Sequence, residues 1–584
     1  MRQAQSLHFQ THDGVELHYR HWPATRNEHQ PRRAVVMFHR GHEHGGRLAH
    51  LADELDLPGY DFFAWDARGH GQSPGARGDS PSFATSVRDV QTFIEHLQAQ
   101  HGIAEADMVV LAQSVGAVLV ATWAHDYAPK VRCLVLASPA FKVKLYVPFA
   151  RPGLKLLRAL RGNFFVNSYV KPRLLTHDPE RVLSYTADPL ISRPISVTML
   201  LGLYEAADRV VADAQAIQVP TQLLVSGSDF VVERAPQVRF FERLGSARKE
   251  MHVLPGFFHD TLGERDRAHA LARIQRFIGH CFEAPVARPS LLDADHTGAS
   301  CAEAESLAAP LPRHSLRDLY WRATRTSLRL GKGLSEGVKL GFDTGFDSGS
   351  TLDYVYRDQA TGKGKLGALI DRNYLNAIGW RGIRQRKRHV EELLRLAIAR
   401  LREQQRPVHI VDIAAGHGRY ILEALQDQAS LPDSVLLRDY SELNVQQGRA
   451  LIAEKGLGDI ARFVQGDAFD RQSLASLNPR PSLAVVSGLY ELFASNTLVG
   501  NSLAGLADAM EDGGYLVYTG QPWHPQLEMI ARALTSHRAG QAWVMRRRSQ
   551  AEMDQLVEAA GFRKVAQRID EWGIFSVSLA QRVR

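Results

Sequence analysis

Twice along the chain, short aliphatic runs of strand length alternate with longer amphipathic segments. A stretch with neither pattern divides the two series. The first series runs VVMF (35–38), FFAW (62–65), MVVLA (108–112), CLVLAS (133–138) and QLLVSG (222–227), each followed by Gly, Pro or Asp/Ser. Alternation of this kind builds a mostly parallel sheet with helices on both faces. The second series starts near residue 407 with VHIVDIAAG, SVLLRDYS, ARFVQGDAF, SLAVVSG and GGYLVYTG. A chain of 584 residues exceeds what one core sustains. The expected fold class is therefore α/β, with two sheet domains in tandem. The first spans 1–283. A linker rich in Ala, Pro, Ser and acids spans 284–314, a basic and mainly helical region 315–395, and the second sheet domain 396–584. Residues 141–215 are helical, basic and apolar without strand periodicity, which suits a cap inserted over the edge of the first sheet.

Apolar content of 45% and charged content of 23% are ordinary for a globular protein. The three cysteines, Cys133, Cys281 and Cys301, form no close pair in sequence, which argues against a disulfide framework or a Cys-rich zinc site. The N-terminus lacks an apolar signal region, and no apolar run approaches the roughly 18 residues a spanning helix needs. The expected location is the cytoplasm or the inner face of the membrane. The net charge of +7 is unevenly placed: residues 313–388 hold sixteen Lys/Arg against seven Asp/Glu. Such a segment suits an anionic membrane surface or a solvated helical face. Nucleic acid is not the expected partner, and oligomeric state is not legible.

VVLAQSVGAVLV (109–120) places Ser114 between small residues at the junction of a strand and a helix. This is the nucleophile-elbow arrangement, with Ala112 in place of the first Gly of G-x-S-x-G. A serine hydroxyl needs a base to take its proton and an acid to orient that base. Asp229 in SGSDFVV and His259 in GFFHDTLGE follow in the order Ser, acid, His. The oxyanion needs two backbone N–H donors. Val115 follows the nucleophile, and Gly41 lies in HRGHEHGGR after the first run. His39, His42 and His44 in that loop are candidate metal ligands, but no carboxylate cluster accompanies them. Asp66 and His70 in DARGHG are expected to fix a turn.

These motifs, with AQSVGA (112–117) and SYTADPL (184–190), resemble the monoglyceride lipase/lysophospholipase branch of the α/β-hydrolases, the S33-like group. The resemblance implies a Ser114–His259–Asp229 triad with Gly41 and Val115 at the oxyanion hole. Two positions depart from it: Arg40 stands where the branch has Gly, and Ala112-Gln113 where it has Gly-His.

In VHIVDIAAGHGRY (408–420), Gly416 and Gly418 let a backbone approach a ligand closely at a helix start. Asp439 ends the next run and suits ribose hydroxyls. Asp467 follows the third run. The progression resembles the class I S-adenosylmethionine-dependent methyltransferases, with Ala414 in place of their first loop Gly. That resemblance implies S-adenosyl-L-methionine as cofactor, with Asp412 near its amino-acid end, Asp439 at the ribose and Asp467 at the adenine amine. Tyr490, Glu491 and Asn496 are acceptor-side candidates, and TGQPWHPQ (519–526) a candidate rim.

The whole chain resembles a bacterial group of fused α/β-hydrolase–methyltransferase proteins, which implies a lipid-related substrate. The expected function is hydrolysis of a small amphiphilic ester, a monoacyl lipid or lysophospholipid, joined to methyl transfer onto an unknown acceptor. The alternatives are a peptidase or general esterase, or one degenerate domain serving as a binding or regulatory module.

Overall fold

A computed structural model describes the chain except residues 1, 26–30, 145–148, 169, 427–429, 539 and 584. The chain divides into two compact units, Met1–Pro289 and Ser290–Arg584. No helix among the described residues is long and apolar enough to cross a membrane.

In the first unit the main strands are β1 (Gln5–Gln10), β2 (Glu16–Trp22), β3 (Arg33–Phe38), β4 (Tyr60–Trp65), β5 (Met108–Gln113) and β6 (Cys133–Ala137). A short pair follows, β7 (Phe165–Asn167) and β8 (Pro194–Ser196), then β9 (Thr221–Ser226) and β10 (Lys249–Leu254). Among the described residues they form an eight-stranded sheet ordered β1-β2-β4-β3-β5-β6-β9-β10, with β7 and β8 paired apart from it. All neighbours are parallel except at β2, which runs against both β1 and β4. β4, β5, β6 and β9 are buried at every position. This is why they read as continuous aliphatic runs: helices cover both faces of a parallel sheet. This is the expected α/β-hydrolase sheet.

The cap contains the helices Ala150–Arg161, Pro179–Ala187 and Val197–Ala212, while residues 145–148 and 169 of the expected span lie outside the described residues. It is not wholly helical, because β7 pairs antiparallel with β8. Two three-residue strands are too short to show a period. Cys133 and Cys281 are distant in sequence, yet both are buried in one core cluster with their thiols hydrogen-bonded.

The second unit begins at Ser290, inside the span expected to be linker. The helices Ala294–Thr297 and Ala299–Ala308 are held down: Asn496 N–H donates to Asp295 (2.7 Å) and Arg547 pairs with Glu303. The Ala- and Glu-rich composition there serves a helix, not a tether. The basic region forms Leu316–Gly331, Glu336–Thr344, Gly349–Arg357, Gly364–Leu375 and Ile378–Glu403. Ser315, Ser335 and Ser348 cap the first three, each accepting from an N–H three residues on. The expected boundary at 395/396 falls inside the last helix. That helix turns Val390, Leu394, Ala397 and Leu401 into the core at helical spacing.

Its sheet comprises β11 (His409–Asp412), β12 (Ser434–Asp439), β13 (Ala461–Gln465), β14 (Leu483–Val486), β15 (Tyr515–Gly520), β16 (Phe562–Ile569) and β17 (Ser576–Arg582). Among the described residues the order is β13-β12-β11-β14-β15-β17-β16. β11 to β15 are parallel, and β17 is inserted antiparallel to β15 and β16. Strand order reverses between β11 and β14. In open α/β sheets, ligands bind outside the carboxyl ends of the strands at such a switch point.

Candidate functional sites

Ser114 stands between β5 and the helix Val115–Tyr127 with φ 57° and ψ −115°. A β-carbon residue held there is strained, and the strain lifts the hydroxyl off the strand. Gly116 permits the turn: a Cβ there would stand 2.4 Å from the His39 carbonyl oxygen and 2.8 Å from that of Phe38. Asp229 follows β9 and His259 follows β10. His259 Nε2 lies 2.8 Å from Ser114 Oγ, and its Nδ1 2.8 Å from Asp229 Oδ2. Asp229 Oδ1 also accepts from the N–H groups of Val231 (2.7 Å) and Val232 (3.0 Å). Burial opposes the Asp229 charge, but His259 and these two donors outweigh it and hold its pKa below the ordinary carboxylate value. All three side chains are buried. A Cβ on Gly41 would stand 3.0 Å from Val115 Cγ2, so the loop after β3 lies against the start of the nucleophile's helix. The two expected oxyanion donors are thereby neighbours.

Arg40 and Gln113, the two departures, join one buried network. Arg40 is bidentate to Glu43 (2.7 Å for both bonds), and its Nη2 lies 3.7 Å from Asp260 Oδ2. Asp260 also pairs with Arg181 of the cap helix Pro179–Ala187 (3.0 Å). Gln113 Nε2 donates to the His259 carbonyl (3.1 Å) and to Asp260 Oδ1 (3.2 Å). Arg40 thus turns into a charge cluster behind the oxyanion loop. Two histidines of that loop are engaged in place: His39 Nδ1 bonds the Arg40 carbonyl (2.8 Å), and His44 Nε2 bonds Asp188 of the cap (3.0 Å). Burial, with His70 next, lowers the His42 pKa to about 4. Asp66 fixes the turn as expected, accepting from Gly45 and Gln72 N–H groups and from Arg20.

In the second unit a cavity of about 840 Å³ opens at the switch point. Ala414, Gly416, Gly418, Asp439 and Asp467 line it. Gly416 (φ 58°) and Gly418 (φ 77°) are left-handed, and a Cβ on Gly418 would meet Leu437 Cδ1 at 2.5 Å. Asp439 Oδ2 accepts from Gly416 N–H (2.9 Å), while its Oδ1 accepts from Ser441 N–H (2.9 Å) and Asn444 Nδ2 (3.0 Å). It binds the glycine loop to the end of β12. Asp467 is exposed, with Oδ1 on Phe469 N–H (2.8 Å).

Asp412 departs from its expected place. It is fully buried and does not line the cavity. Its oxygens accept from Ala414 N–H (3.0 Å) and the Tyr420 hydroxyl (2.6 Å). Burial raises its pKa to about 7 against the pull of both bonds. It shapes the loop from beneath. Of the acceptor-side candidates, Asn496 bonds Arg546, Arg548 and Glu552, and Tyr490 bonds Ser502. Both side chains are tied to neighbouring residues, and Glu491 lines a second cavity. His524 and Gln526 from the expected rim line that same cavity. Sequence reading missed Ser348, Ser350 and Asp353, which the basic region brings to the glycine-loop cavity. Asp353 pairs with Arg419 (2.6 Å) and lies 3.7 Å from His417. The Ser-capped helix start at 348 was its visible signal.

The family model described as "Putative methyltransferase" matches residues 274–582, and that of serine aminopeptidase S33 matches residues 29–266. The uncharacterized protein YnbC of Escherichia coli (strain K12) is 56% identical over 98% of this chain and 98% of its own. The monoacylglycerol lipase of Mycolicibacterium smegmatis is 28% identical over 45% of this chain and 93% of its own. The crystal structure of Paleococcus ferrophilus monoacylglycerol lipase covers 48% of this chain and 99% of its own, at 24% identity and a TM-score of 0.40.

Proposed function

The chain belongs to the family of that C-terminal model and of YnbC, with an S33-type hydrolase domain ahead of it, and we propose that it carries two activities. The first unit is a serine ester hydrolase. The observation that carries this is the relay of two 2.8 Å contacts from Asp229 through His259 to Ser114. Ser114 Oγ attacks the ester carbonyl as His259 Nε2 takes its proton. Asp229 steadies the resulting imidazolium, and the N–H groups of Gly41 and Val115 bind the oxyanion. His259 then returns the proton to the departing alcohol, and water cleaves the acyl-enzyme by the same route. The relatives' lipase names and the exposed Phe149, Leu156, Leu160 and Leu183 of the cap support a monoacyl lipid or lysophospholipid as substrate. Hydrolysis of a monoacylglycerol and a lysophospholipid in preference to an aminoacyl-peptide substrate tests this. Cleavage of the peptide alone would favour a peptidase.

The second unit binds S-adenosylmethionine, which supplies an electrophilic methyl group when present. The residues fit that group. The bare backbone of Gly416 and Gly418 allows a ligand to approach closely, and the carboxylates of Asp439 and Asp467, which line the same cavity, can accept from hydroxyl and amine donors. Calorimetric titration with S-adenosylmethionine is the check, and absence of heat at high ligand concentration refutes it.

An anionic membrane surface is the proposed partner of residues 313–388. Exposed Leu316 (87%), Leu330 (75%) and Leu369 (66%) accompany the excess Lys/Arg there. That combination suits an interface of apolar and anionic groups. Flotation with anionic but not neutral vesicles is expected. Equal flotation with both refutes electrostatic docking.

A further inference from the structure

Beside the glycine-loop cavity lies a second one, of about 260 Å³. The two share Asp347, Leu352, Gly488 and Leu492 as walls. Phe346, Trp380, Ile530, Trp543, Met545 and Phe575 make the second largely apolar and aromatic. Among the polar side chains that interrupt that lining are Arg386 from the helix Ile378–Glu403, Glu491 after β14 and Gln521 at the end of β15. All three are buried. Each keeps one buried polar atom without a partner among the described residues: Arg386 Nε, Glu491 Oε2 and Gln521 Nε2. The carboxylate is otherwise fixed. Its Oε1 accepts from Thr519 Oγ1 (2.7 Å) and lies 3.5 Å from Arg386 Nη1. Thr519 Oγ1 in turn accepts from Gly488 N–H (2.9 Å), on the shared wall. Buried polar atoms are rarely left without partners, and a few convergent ones in an apolar cavity mark a ligand site.

We propose that this cavity takes the methyl acceptor, and that the acceptor is a largely apolar compound carrying a hydroxyl. The proposal rests on the reading of the neighbouring cavity as the cofactor site. The unpartnered N–H groups of Arg386 and Gln521 require an acceptor atom, as do Trp543 Nε1 and the Tyr374 hydroxyl, which are also unpartnered among the described residues, and the free Glu491 oxygen requires a donor. A hydroxyl supplies both on one atom. A carboxylate has no proton to give, and an ammonium has no lone pair. In the transfer, an oxygen lone pair forms the new O–CH₃ bond. The methyl–sulfur bond breaks with its electrons passing to sulfur, and the hydroxyl proton passes to Glu491 Oε2. The products are a methyl ether, S-adenosylhomocysteine and a protonated Glu491, which water deprotonates. Trp380, Trp543 and Phe575 exclude water and hold the apolar body.

The experiment is calorimetric titration of the full chain, without cofactor, with 2-naphthol, 2-methylnaphthalene and 2-naphthoate, beside a titration with S-adenosylmethionine. 2-Naphthol is expected to bind saturably at one site, and the other two about tenfold or more weakly. Gln521→Leu and Glu491→Gln are each expected to weaken 2-naphthol about tenfold while S-adenosylmethionine affinity stays unchanged. No binding of 2-naphthol, equal binding of 2-methylnaphthalene, or unchanged affinity in both variants overturns the proposal. S-Adenosylmethionine binding without 2-naphthol binding sinks this proposal alone. The reverse sinks the cofactor reading and leaves the cavity as a hydroxyl-compound site.

Discussion

Gln113 donates from its side-chain amide to the main-chain carbonyl of His259 across 3.1 Å. The residue before the nucleophile therefore holds the backbone of the general base. Gln113→Leu removes that bond and leaves a buried carbonyl with one donor fewer. The expected cost is about 1–3 kcal/mol of stability and a fall in kcat of roughly tenfold as the imidazole loses its aim. Thermal unfolding and p-nitrophenyl butyrate hydrolysis check both. A variant with native kcat would show that the contact is packing alone.

Arg40 holds Glu43 by two 2.7 Å bonds, while Arg47 Nε lies 3.5 Å from the same carboxylate. Arg40→Met strands that carboxylate in a buried cluster that also holds Asp260. Breaking one side of a buried ion pair costs about 3–5 kcal/mol. Urea unfolding is expected to show that loss, with Arg40→Met/Glu43→Gln recovering much of it. Equal destabilisation by the single and double variants would mean that the pair does not act as a unit.

Asp412 gives a pH signature. Its folded pKa of about 7 stands above the unfolded value of about 4. The folded state holds the extra proton, so this contribution is full below about pH 4 and is lost as pH rises through about 7. Denaturant unfolding of the native chain is expected to weaken across that window, and Asp412→Asn to flatten the dependence. An identical slope in the variant would contradict the assignment.

The two loop glycines differ. Gly418→Ala drives a Cβ into Leu437 at a left-handed φ and is expected to destabilise the second unit. A Cβ on Gly416 would meet only Gly349 Cα, at 3.5 Å, so Gly416→Ala costs chiefly backbone strain of about 1 kcal/mol. It should fold and bind S-adenosylmethionine at least tenfold more weakly, as should Asp439→Ala. Calorimetry beside a melting curve separates the two effects, and full affinity in Gly416→Ala would remove the glycine loop from the cofactor site.

The sequence disclosed what periodicity and chain order carry. The central strands were legible because parallel strands buried on both faces are unbroken aliphatic runs, and the triad because its order repeats a known arrangement. The edge pair β1–β2 and the reversed β16–β17 escaped, since QSLHFQ and FRKVAQRI are half-polar. Asp412 was misplaced because an acid ending a strand reads alike whether it faces a ligand or caps a turn from below. Arg40 and Gln113 read as departures because the buried acid they share, Asp260, lies far along the chain. Of the second cavity, Glu491 and the 519–526 rim are legible in the sequence, while the rest of its lining comes from segments scattered between residues 328 and 575.

The most direct measurement is intact-mass and peptide analysis after incubation with a fluorophosphonate. One adduct on Ser114 is expected. It should be absent in Ser114→Ala and formed at least a hundredfold more slowly in His259→Ala. An unlabelled native chain that is folded by circular dichroism, or labelling that persists in Ser114→Ala, would contradict the assignment of Ser114 as nucleophile.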